Sequence, residues 1–235
     1  MSLYVAGDSY GSLDCNQPAG ESWSEILADR LSTKLINVAR PGASNVSIAI
    51  QLDWIYDNVT EGDHVVVLLT DHLRVTMLNE KHKINYRLSL LEQHSTHHSQ
   101  KVVNNIYKES NILSSTINNP DNKSISDFFE KTFDPLLQYF VDTHILVGMI
   151  TKMYTKTAKF FVCQGGFGMR LGTVDDSQDF SKALMIKEEN YLPLNHNFMN
   201  GLCKSNSNYI NHLDQIAHLK FGSLIDSYIK SQGVV

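Results

Sequence analysis

The sequence predicts an α/β fold built on a doubly wound parallel sheet, and three observations carry that prediction. Short apolar runs alternate along the chain with stretches of helical periodicity, the order that yields a parallel sheet with helices on both faces. One run, His64 to Thr70 (HVVVLLT), is rich in β-branched residues, as a strand buried on both faces must be. The first run, Leu3 to Ala6, is cut by Gly7-Asp8-Ser9-Tyr10-Gly11, residues that tolerate a sharp turn where a strand stops.

The elements follow in order. After the Ser9 turn, Glu21 to Leu31 places Trp23, Ile26, Leu27 and Leu31 on one face at helical spacing, completing a strand-helix unit. Leu35 to Ala39 is a second short strand closed by Pro41-Gly42, and Val46 to Tyr56 resumes helical periodicity through Ile48, Leu52 and Ile55. Gly62-Asp63 turns into the central run at His64. From about residue 75 to 125 the chain is polar, rich in Asn and Ser and poor in periodic apolar residues, and reads as an insertion. Asp127 to Lys156 is a long helical pattern, with a kink or break expected at Asp134-Pro135. Lys159 to Cys163 is a fourth strand, ending at Gln164-Gly165-Gly166. Asn211 to Lys230 closes the chain with a helix packed on the sheet.

At 235 residues the chain can bury a full core as one large domain or two small ones. A net charge of -5 argues against a general nucleic-acid or anionic-membrane binder. The N-terminus lacks the charged and apolar regions of a secretory signal, and no run approaches the roughly 18 apolar residues that span a bilayer. The three cysteines, Cys15, Cys163 and Cys203, are widely spaced and form no C-x-x-C, so neither a disulfide framework nor a zinc knuckle is expected. A reducing, cytoplasmic compartment fits these features.

Ser9 stands at the carboxyl end of a strand leading towards a helix, the edge at which open α/β sheets bind ligands. That placement suits a nucleophile; a plain turn with a helix cap is the competing reading. Asp8 is read as holding the turn through its own backbone contacts. His94 and His98 have the i, i+4 spacing of a helical metal pair, with His97 beside them, but polar Ser, Thr and Gln neighbours supply no third ligand, so a solvated insertion is the better reading and no metal is expected. Gly165-Gly166-Phe167-Gly168 lacks the Lys-Ser/Thr of a phosphate loop and reads as a flexible loop.

Taken together, the G-D-S of Gly7-Asp8-Ser9, the NVARPGASN stretch around Gly42, the strand ending at Thr70 and the HLDQIAH stretch from His212 resemble the SGNH, or GDSL-type, serine hydrolases. The resemblance implies one domain spanning residues 1 to 235, a three-layer α/β/α sandwich with a central parallel, flavodoxin-like sheet, and no cofactor. It places the nucleophile at Ser9, a backbone oxyanion donor at Gly42 and the catalytic histidine at His212, with His218 trailing and more simply read as a packing residue. Two family positions are not met. The Gly-x-Asn of the third block is replaced by LLTDHLR, which puts Asp71 on the asparagine; Thr70, Asn45 or Arg74 would then have to supply the donor. The aspartate three residues before the histidine is replaced by Tyr209, leaving Asn208, Asn211 or Asp214 to orient the imidazole.

The chemistry so implied is an acyl-enzyme route. His212 takes the Ser9 proton as the hydroxyl attacks, then returns a proton to the leaving alcohol, while the Ser9 and Gly42 N–H groups hold the oxyanion. The substrate class implied is a small acyl ester, such as an O-acetyl group on a carbohydrate. The GASN stretch followed by Thr70 and Arg74 is also similar to divergent GDSL-like proteins of tailed bacteriophages. For such a member a weakened site serving glycan binding or a virion structure is the alternative, with a virion or a second copy as partner and a host cell or virion as location. Nucleic acid and membrane are not expected partners. A metal-dependent hydrolase using the insertion histidines is the third reading.

Overall fold

The computed structural model describes residues 1–13, 19–40, 43–70, 134–165, 182–192 and 213–232. Among the described residues five strands form one sheet: β1 (Ser2–Ala6), β2 (Lys34–Asn37), β3 (His64–Leu68), β4 (Lys159–Cys163) and β5 (Tyr191–Leu192). Their spatial order is β2-β1-β3-β4-β5 and every pairing is parallel. Helices α1 (Trp23–Arg30), α2 (Asn45–Asn58), α3 (Pro135–Met153) and α4 (Gln215–Ser231) cover it.

Alternation along the strands divides the core into two layers. Tyr4, Val65, Val67, Phe160 and Val162 face one way and bury Ile48, Leu52 and Ile55 of α2 with Leu146, Ile150 and Met153 of α3. Leu3, Val5, Val66, Leu68, Phe161 and Cys163 face the other way, against Trp23 and Leu27 of α1 and Phe221, Ile225 and Ile229 of α4. The Trp23 and Phe221 rings meet edge to face, 5.0 Å between centroids, and join α1 to α4. Helices on both faces of a parallel sheet make the three-layer α/β/α sandwich expected from the sequence.

Two helix starts differ from the sequence expectation, each through local capping. The first helix begins at Trp23 rather than Glu21, with Ser22 as N-cap and its N–H donated to Glu25 Oε2 at 3.1 Å. The last begins at Gln215 rather than Asn211, because Asp214 accepts from Ala217 N–H at 2.8 Å and so caps it. At Asp134-Pro135 the expected break is met: Pro135 occupies the first helical position, where no N–H is needed, and Asp134 Oδ1 accepts from Leu137 N–H. β5 was not anticipated, since two residues carry no readable period. The insertion expected at about 75 to 125, and residues 127 to 133 of the expected long helix, lie outside the described residues.

Candidate active site

β1 ends at Ala6, and Gly7 follows hard against Leu68 of β3. A Cβ there would lie 2.9 Å from the Leu68 carbonyl oxygen, and φ is +151°, so the position requires glycine. Buried Gln51 of α2 pairs with both backbone groups of the same residue, accepting from Gly7 N–H at 2.8 Å and donating to Gly7 O at 3.2 Å.

Asp8 organises the turn that follows. Its carbonyl accepts from the N–H groups of Gly11 (3.1 Å) and Ser12 (3.0 Å), and its carboxylate Oδ1 accepts from Tyr10 N–H (3.0 Å). The other oxygen, Oδ2, accepts from the Thr70 hydroxyl at 2.8 Å, tying the turn to the end of β3. Further ties come from Trp23 Nε1, which donates to Tyr10 O (2.7 Å), and Asn37 Nδ2, which donates to Gly11 O (2.8 Å). The Ser9 carbonyl accepts from the Ser12 hydroxyl. Among the described residues, neither the Ser9 N–H nor its hydroxyl meets a hydrogen-bonding partner, and the residue is half-buried at the carboxyl edge of the sheet.

Asn45, first residue of α2, is fully buried and reads the backbone of Thr70 as a neighbouring strand would. Its Oδ1 accepts from Thr70 N–H (3.0 Å) and its Nδ2 donates to Thr70 O (2.9 Å). The second Nδ2 hydrogen goes to Asp142 Oδ2 of α3 (3.0 Å), whose other oxygen accepts from Gln138 Nε2 (2.7 Å). Both N–H groups of Asn45, and both the N–H and hydroxyl of Thr70, are thus engaged in holding the sheet edge. In this arrangement they position the turn and have no hydrogen left for an oxyanion.

The carboxyl ends of β3 and β4 are tightly joined. Leu69 N–H donates to Cys163 O at 3.0 Å, and Gly165, at φ +57°, lies so close to the Leu69 carbonyl that a side chain would overlap it. Gly165 therefore serves a close backbone crossing. Cys163 is no rival nucleophile: burial, with a smaller contribution from the Asp8 carboxylate and against a hydrogen bond from Gly165, pushes its thiol up to about 12. His218 is buried, and its Nδ1 accepts from the Trp23 N–H at 3.1 Å, so it fastens α4 to the start of α1. Asp214 is the helix cap described above.

Of the residues singled out in the sequence, the structure brings Asp8, Ser9, Thr70 and Asn45 together. Gly42, Asp71, Arg74, Asn208, Asn211 and His212 lie outside the described residues, as do His94, His97 and His98. Among the described residues no cluster of three or more His, Cys, Asp or Glu could hold a metal, and no helix is long and apolar enough to cross a membrane. Asp142, Gln138 and Gln51 were missed by sequence reasoning. Their signal was present: Asp142 falls on the same helical stripe as Tyr139, Leu146 and Ile150, and Gln51 lies beside Ile48, Leu52 and Ile55, where a polar residue is out of place.

No protein-family model matches the chain, and no curated protein matches it. Solved structures do. TesA superposes with a TM-score of 0.50 at 13% identity, covering 99% of each chain. The psychrotrophic esterase EstA from Pseudoalteromonas sp. gives a TM-score of 0.50 at 13% identity over 98% of this chain and 97% of its own. Protein YXIM from Bacillus subtilis gives 0.50 at 16% identity over 99% of this chain but only 56% of its own length. With the all-parallel five-stranded sheet, these likenesses define the class of fold: an α/β/α sandwich like that of TesA and the esterase EstA.

Proposed function

We propose that this chain is a serine esterase acting through Ser9 on a small acyl ester, such as an O-acetyl group on a carbohydrate. The observation that carries the reading is the state of the Ser9 turn. The N–H groups of Gly7, Tyr10, Gly11 and Ser12 are all engaged, while the Ser9 N–H and hydroxyl are left open at the ligand-binding edge of the sheet. A free backbone N–H on the nucleophile's own residue is what an oxyanion forming on its acyl group needs.

The remaining roles are assigned to Gly42 and His212. Arg40 N–H donates to Gly7 O (3.0 Å) and Ala43 N–H to Arg40 O (3.1 Å), so both described flanks of Gly42 are anchored beside the Ser9 turn, which supports Gly42 as the second oxyanion donor. Leu213 is buried in the layer that includes Tyr10, Trp23 and Ala39, which supports its chain neighbour His212 as the base. Ser9 Oγ attacks the carbonyl carbon and its proton passes to His212. That proton then leaves with the alcohol, and water releases the acyl group by the same route reversed.

A second reading is favoured by one observation: the donors of Thr70 and Asn45 are engaged, so the oxyanion would rest on fewer groups than the family pattern supplies. Losing one such donor costs about 2.7 to 4 kcal/mol of transition-state stabilisation. On that reading the site binds a glycan or serves a virion structure without turnover.

Covalent labelling separates the two. EstA is known in a form inhibited by monoethylphosphonate, and the same chemistry suits Ser9. With a fluorophosphonate–biotin probe, Ser9 Oγ bonds to phosphorus, fluoride leaves and the serine proton passes to the base. Labelling that Ser9→Ala abolishes is the expected result.

A further inference from the structure

We propose that Asp142, on α3, is a positioning residue for the Ser9 turn, acting through Asn45, Thr70 and Asp8; the inference rests on the reading of Ser9 as nucleophile. The geometry is a continuous hydrogen-bonded chain through the molecule's interior. Gln138 Nε2 donates to Asp142 Oδ1, Asn45 Nδ2 donates to Asp142 Oδ2, Asn45 pairs with both backbone groups of Thr70, and the Thr70 hydroxyl donates to Asp8 Oδ2. Asp142 and Asn45 are wholly buried, and Asp8 and Thr70 are each 1% exposed.

What Asp142 contributes is direction. A carboxamide has two orientations of similar shape, and only one serves Thr70, with Oδ1 towards the N–H and Nδ2 towards the carbonyl. The reversed amide would turn Oδ1 towards the Asp142 carboxylate, two acceptors face to face in a buried site. Asp142 therefore fixes the amide, and the amide fixes the Thr70 peptide. The peptide then aims the Thr70 hydroxyl at Asp8 Oδ2. Asp8 in turn takes three N–H groups of the turn, Tyr10 on its carboxylate and Gly11 and Ser12 on its carbonyl, and among the described residues the Ser9 N–H is left without a partner. Loss of the lock at α3 is thus felt at the oxyanion donor, four residues along the relay, where misplacement of about 1 Å costs on the order of 10²-fold in rate.

The test is the rate of Ser9 labelling by fluorophosphonate–biotin, measured well below the melting temperature of each variant. Asp142→Ala lets water into the vacated space, and water can satisfy either amide orientation, so the lock is lost without leaving the amide dry. Labelling is expected to slow by about 10-fold or more. Asp142→Asn keeps an acceptor towards Asn45 through its own Oδ1 and a reversed Gln138 amide, and is expected to label within about 3-fold of the parent, a rescue a purely structural role does not produce. Should Asp142→Ala fail to fold, Thr70→Val, which cuts the last link to Asp8, is expected to slow labelling likewise. Labelling at the parental rate in Asp142→Ala, or in Thr70→Val where that variant is used, overturns the relay while leaving the esterase reading intact. Equal slowing in Asp142→Ala and Asp142→Asn also overturns it. Absence of labelling in the parent chain overturns the esterase reading, and the relay with it.

Discussion

Substitution of His64 by leucine is expected to stabilise the protein and remove part of its acid sensitivity. His64 opens β3 and is 4% exposed, with neither ring nitrogen hydrogen-bonded among the described residues. Its register partners are Leu3 on β1 and Lys159 on β4, which places the ring on the face covered by α1 and α4. An unsatisfied buried polar group costs about 1–3 kcal/mol, and an apolar replacement of similar size removes that cost. At about 2–4 °C per kcal/mol for a chain of this size, His64→Leu should melt roughly 2–12 °C higher near pH 7.5. The pH dependence has a definite sign. Burial first, and then the Lys159 charge, lower the folded pKa of His64, against a smaller upward pull from Asp63. As pH falls below the unfolded value of about 6.5, the unfolded chain binds a proton that the folded chain does not, so stability declines, by up to about 1.4 kcal/mol per pH unit, until the folded pKa is reached. Denaturant melts of parent and variant between pH 5 and 8 measure both effects. A variant no more stable than the parent at pH 7.5, with the same slope below pH 6.5, would refute the reasoning.

Two further predictions concern backbone geometry and capping. Gly165→Ala should lose at least about 2 kcal/mol, because φ is +57° and the new Cβ overlaps the Leu69 carbonyl, whereas Gly20→Ala, at φ +89° with open space around it, should lose only about 1 kcal/mol; thermal melts rank the pair. Asp214→Ala removes the cap on α4 and should cost about 1 kcal/mol, read as a small drop in melting temperature.

The strands most legible in the sequence are those whose environment is simplest. β3 and β4 are buried on both faces and so present unbroken apolar runs, and β4 occupies the very residues expected, Lys159 to Cys163. Helix ends were less legible, because Ser22, Asp134 and Asp214 each provide a cap one or several residues from where apolar periodicity begins. β5 was invisible: two residues paired to Val162 and Cys163 owe their strand geometry to the sheet, not to their own pattern. At the site, Ser9 could be read from its place at a strand end, and Asp8 from turn chemistry. The linkage of Asp8 to Thr70, and of Asn45 to Asp142, joins residues 62 and 97 positions apart, which no local pattern encodes. Only the oddity of a carboxylate on the apolar stripe of α3 hinted at it.

Mass spectrometry of the chain after fluorophosphonate–biotin treatment decides whether Ser9 is a nucleophile. A single adduct is expected on the peptide that contains Ser9, absent from Ser9→Ala. No adduct on the parent chain, or an adduct that persists in Ser9→Ala, would contradict it.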